Sequence, residues 1–128
     1  MTEKFKYRAG VVLTVVPVLF LVFDSVIKLL ELPVVRDSLA ELGYPVEAAL
    51  AIGAIELVCL VLYVTPRTSV LGAVLLTGYL GGAIATHVRV GSPLFSHMLF
   101  PIYVAALLWA GLFLRERRLG VVLPLRTA

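Results

Sequence analysis

AGVVLTVVPVLFLVFDSVIKLLEL, residues Ala9–Leu32, decides the fold. Twenty-four residues of helix rise about 36 Å, against a hydrocarbon core of about 30 Å, so this stretch can cross a bilayer with some tilt. It follows Lys4, Lys6 and Arg8. That start resembles a signal peptide, but the apolar run is longer than a signal core and no small-x-small cleavage site follows. It reads as a retained helix, with Pro17 inside it.

Three further apolar runs lie beyond it, about 46–64, 70–88 and 98–114. Pro33 is expected to end the first helix. Between the first two runs, Leu39 and Leu42 sit among Arg36, Asp37 and Glu41, which predicts a short surface helix at about 35–42. Gly43 and Pro45 close it. Thr65–Ser69 reads as a tight turn, and Arg89–Pro93 opens the third connection. The composition agrees with these runs. Apolar residues make up 61% and charged residues 15%, whereas soluble domains average about 45–50% and about 25%. A chain of 128 residues cannot hide so much apolar surface from water. The expected fold is all-α, a four-helix integral membrane bundle in one domain.

The net charge of +3 does not point to nucleic acid, because the basic residues flank apolar runs. With both termini inside, Lys4, Lys6, Arg8, Arg67, Arg115, Arg117, Arg118 and Arg126 share one side, and Arg36 and Arg89 the other. The positive-inside bias therefore places both termini in the cytoplasm. Cys59 is the only cysteine. The chain has no C-x-x-C pair and cannot act alone as a dithiol oxidoreductase.

Asp24, Lys28 and Glu56 carry charge inside apolar runs. Such residues cost about 2.5–3.5 kcal/mol at the centre of a bilayer, and they persist where they face the bundle interior and find partners. Asp24 and Lys28 are four apart, on one helix face, with the acid first. Counted from the outer helix ends, Asp24 and Glu56 both lie roughly 12–15 Å deep, and Tyr79 falls at a similar level. These groups predict one internal polar pocket opening outward past Lys28, His87, Arg89 and His97. The competing reading is a purely structural ion-pair network. His87 and His97 lack a close ligand spacing such as H-x-x-x-H, and no bound metal is expected. Gly78, Gly82 and Thr86 recur every four residues on the third run, and Gly53 lies on the second. Small residues so spaced permit close helix packing, within the chain or across a homodimer seam.

The ordered set Phe23-Asp24-Ser25-Val26-Ile27-Lys28-Leu29, Leu42-Gly43-Tyr44-Pro45, Gly53-Ala54-Ile55-Glu56-Leu57, Pro66-Arg67-Thr68 and Gly78 to Arg89 resembles the DoxX-like family of small four-helix membrane proteins. The resemblance covers nearly the whole chain. It implies a multi-pass protein of the bacterial inner membrane, with the family's conserved acids falling on Asp24 and Glu56. It further implies a link to quinone-coupled sulfur oxidation and membrane redox complexes. The expected role is an accessory subunit with a pocket for a quinone or other isoprenoid, and a redox protein partner. No independent catalytic motif is present. The alternatives are an assembly partner for another membrane protein, and a proton or small-solute transporter.

Overall fold

The computed structural model describes residues 2–126. Its helices are α1 (Glu3–Leu29), α2 (Pro33–Glu41), α3 (Ala48–Val64), α4 (Ser69–Val90), α5 (Phe100–Arg115) and the single turn α6 (Leu119–Val122). A 3₁₀ turn, Pro66–Thr68, leads into α4, and a wide π turn, Leu94–Met98, leads towards α5. No strand forms among the described residues. Three segments, Glu3–Leu29, Pro66–Val90 and Leu94–Arg115, are long and apolar enough to cross a membrane. The fourth apolar helix, α3, has 17 residues and spans about 26 Å.

Helix α1 begins well before the expected position 9. Thr2 caps it, accepting a hydrogen bond from the Phe5 amide at 3.1 Å. It also stops earlier, at Leu29 rather than 32. The Glu31 amide bonds Lys28 O (3.1 Å) and the Leu32 amide bonds Ile27 O (3.3 Å). This is the paired closure that needs a left-handed residue after the cap. Glu31 fills that place with φ 54°, where a side chain crowds the backbone. Glu31→Gly is therefore expected to raise stability by about 1 kcal/mol, read as a higher unfolding midpoint in detergent. An unchanged or lower midpoint would show that the Glu31 side chain compensates the strain.

Pro33 does not end a helix; it starts one, at the first position of α2. Its fixed φ suits that position, and its missing N–H costs nothing there. Proline also holds the preceding Leu32 extended (ψ 152°). The α2 helix is not merely a surface element. Val35 and Leu39 are buried against Ala49 of α3, with Ile27 and Ile52 beside them. Gly43 (φ 84°) closes it through Gly43 N–Ala40 O (3.1 Å) and Tyr44 N–Leu39 O (2.9 Å).

Helix α1 packs along α5 and α3, and α4 packs along α3 and α5. The pairings close a ring around Leu21, Leu60, Tyr63, Leu76, Leu80, Val104, Leu108 and Leu112. The buried Tyr63 hydroxyl donates to Leu108 O at 2.6 Å, tying α3 to α5. Trp109 Nε1 donates to Thr77 Oγ1 at 2.7 Å, tying α5 to α4. At the end bearing the termini, Gly10 of α1 meets Gly111 of α5. A Cβ on Gly10 would lie 2.8 Å from both Arg115 Cγ and Gly111 O. Arg115 Nε reaches Thr14 Oγ1 across the same contact (3.1 Å). The outer face is the converse of a soluble protein. Along α1, Val12, Val16, Leu19 and Phe23 are 59–64% exposed, at spacings that form one helix face. A continuous apolar stripe of this kind is matched by lipid.

Candidate functional site

The last full turn of α1 places Lys28 at the junction of three helices. Its ammonium donates to Asp24 Oδ2 one turn earlier (2.5 Å), to Tyr79 Oη of α4 (2.5 Å) and to Glu56 Oε1 of α3 (3.2 Å). An ammonium has three N–H groups, so these three partners use all of them. Gly53, one turn before Glu56, is what lets the stem of Lys28 lie against α3. A Cβ there would stand 2.9 Å from Lys28 Cβ and 3.3 Å from Ser25 O. Glu56 has no exposed side-chain area, against 16% for Lys28 and 27% for Asp24. Its second oxygen, Oε2, is buried without a hydrogen-bond partner.

Two cavities flank this cluster. The larger, about 440 Å³, lies between α1, α2 and α4, with α2 contributing Val34, Val35, Ser38 and Leu39 as one wall. The smaller, about 220 Å³, lies towards α5 and includes Glu56, Ser96, His97 and Phe100. Asp24, Lys28, Tyr79, Ala83 and His87 line both. The ion-paired cluster is thus a shared partition, polar on both sides.

The other expected site residues separate. His87 lines both cavities, and its Nδ1 is 2.9 Å from Ser92 Oγ. His97 lines only the smaller one; its ring centroid is 5.7 Å from that of His87. No group of three or more metal-binding side chains forms among the described residues. Arg89 lines neither cavity. Its Nη2 donates to Leu42 O at 2.6 Å, so the guanidinium serves the carbonyl end of α2, where a cation is favoured. The packing assignment also changes. A Cβ on Gly78 or Gly82 would meet nothing within 4 Å; both line the larger cavity. Thr86 does not pack helices together either. Its hydroxyl bonds Gly82 O and the Tyr44 hydroxyl, each at 2.8 Å. Gly78 and Gly82 of α4 make room for a cavity, whereas close backbone contact is made by Gly10 with Gly111 and by Gly72 of α4, whose Cβ would fall onto the backbone of Tyr63 in α3. The Gly10-x-x-x-Thr14 spacing carried that signal in the sequence. The α2 wall carried none, because nothing local tells which helix a short amphipathic segment leans on.

The fold and the cluster together define a helical membrane protein with an ion-paired polar cluster beside a mostly apolar cavity. The chain belongs to the DoxX-like family, whose model matches residues 12–111. No curated protein and no solved structure matches it.

Proposed function

We propose that the chain crosses a bacterial inner membrane four times with both termini in the cytoplasm. In this reading it is an accessory subunit of a redox complex, and its larger cavity takes a quinone-like or other lipid-soluble molecule. The supporting observation is the cavity itself. Its volume of about 440 Å³ falls in the range of small-molecule sites, about 300–1,000 Å³. Its wall is mostly apolar, with Asp24, Lys28 and Tyr79 converging at one place. That combination suits a hydrophobic body and a polar head. The redox assignment rests on the resemblance to DoxX-like proteins, and the four crossings on the pairing of α3 with three apolar helices of spanning length.

Gly82→Leu tests the reading without touching the ion pairs. A Cβ at this position meets nothing within 4 Å, and Gly82 lines the cavity, so the added side chain is expected to take up cavity space. Native mass spectra of protein released gently from its own membrane are expected to show an added small-molecule mass. Its occupancy should fall by about tenfold or more in the variant. A bare wild-type chain, or a mass retained in full by Gly82→Leu, would remove the cavity from the function.

A further inference from the structure

The polar cluster accepts more than it donates. Asp24, Glu56 and Tyr79 each take one N–H of Lys28. Tyr79 accepts in that bond, so its own O–H is the cluster's one donor left over. Against it stand the second oxygens of both carboxylates. Glu56 Oε2 is buried with no partner. The other oxygen of Asp24 belongs to a part-exposed carboxylate that lines both cavities.

A head group made of carbonyls offers only acceptors. At the cluster it can use the Tyr79 O–H, but to gain a second bond there it must take an N–H group from Asp24 or Glu56. A hydroxyl head in the larger cavity donates to the second oxygen of Asp24 while accepting from Tyr79, and the Lys28 bonds stay intact. Hydrogen bonds to charged acceptors are among the stronger ones. We infer that the site selects lipid-soluble molecules whose heads donate hydrogen bonds, and so holds a hydroquinone-type head more tightly than the matching quinone. This rests on the reading of the larger cavity as a ligand site.

The test uses the full chain in lipid nanodiscs under argon. A radiolabelled decyl-substituted para-hydroquinone and its para-quinone are bound at equilibrium, with protein-free nanodiscs subtracted. The hydroquinone should bind about tenfold tighter, equivalent to about 1.4 kcal/mol. In Asp24→Asn, whose amide brings a donor of its own, the preference should shrink to about threefold or less. Tyr79→Phe provides a second check. Losing the one free donor should weaken the quinone more than the hydroquinone and widen the ratio. Equal affinities, or a tighter quinone, in the wild type would overturn the inference and leave the cavity as a ligand site. Saturable binding of neither probe would overturn the cavity reading and the inference with it.

Discussion

Lys28→Met is expected to destabilise the bundle by about 3–5 kcal/mol, the cost of stripping one partner from a buried ion pair. The substitution keeps most of the length and the apolar stem of the side chain, including the Cβ that lies against Gly53, so that packing survives. What disappears is the donor shared by Asp24, Glu56 and Tyr79. Glu56 has no exposed side-chain area, and without Lys28 it loses its partner on Oε1 as well as lacking one on Oε2. Glu56→Gln should cost far less, about 1–2 kcal/mol, because the amide oxygen still accepts from Lys28. Adding Asp24→Asn and Glu56→Gln to Lys28→Met should restore part of the loss by removing the orphaned charges. Reversible unfolding in mixed micelles measures all of these. Interhelical hydrogen bonds in membranes often contribute only about 0.6 kcal/mol. A Lys28→Met cost of that size would mean the cluster holds little of the fold together.

The second large effect comes from two glycines that look alike in the sequence. Gly111→Ala should destabilise by about 1–3 kcal/mol through overpacking. Its Cβ would fall onto Thr14 Oγ1 and stand 3.0 Å from Gly10 O and from Thr14 N. Two of those atoms are backbone of α1, which can yield only by moving the helix. Gly81→Ala meets nothing within 4 Å, so it should stabilise by about 0.5–1 kcal/mol through helix propensity alone. The two substitutions are chemically identical, and their unfolding midpoints in one detergent should move in opposite directions. A shift of the same sign in both would show that α1 and α5 do not approach as closely as described.

The membrane class was legible in the apolar runs, because burial in lipid demands long uncharged helices whatever their neighbours. The pairing of Asp24 with Lys28 was legible too, since a spacing of four residues is local geometry. The meeting of Lys28 with Glu56 and Tyr79 was approachable by depth counting, because helices of regular rise that cross one slab bring equal depths together. Other features were not legible, each for a physical reason. Pro33 can stop one helix or start another, and the choice depended on Glu31 accepting a left-handed conformation. Arg89 was expected at the mouth of the pocket, but its direction depended on where the carbonyl of Leu42 lay. Spacing alone could not tell Gly78 and Gly82, which open a cavity, from Gly10 and Gly111, which close a helix contact. A glycine records only that a side chain is absent. Whether a backbone or an empty space occupies that place is decided by how the helices rotate about their axes, and only the tertiary packing sets that rotation.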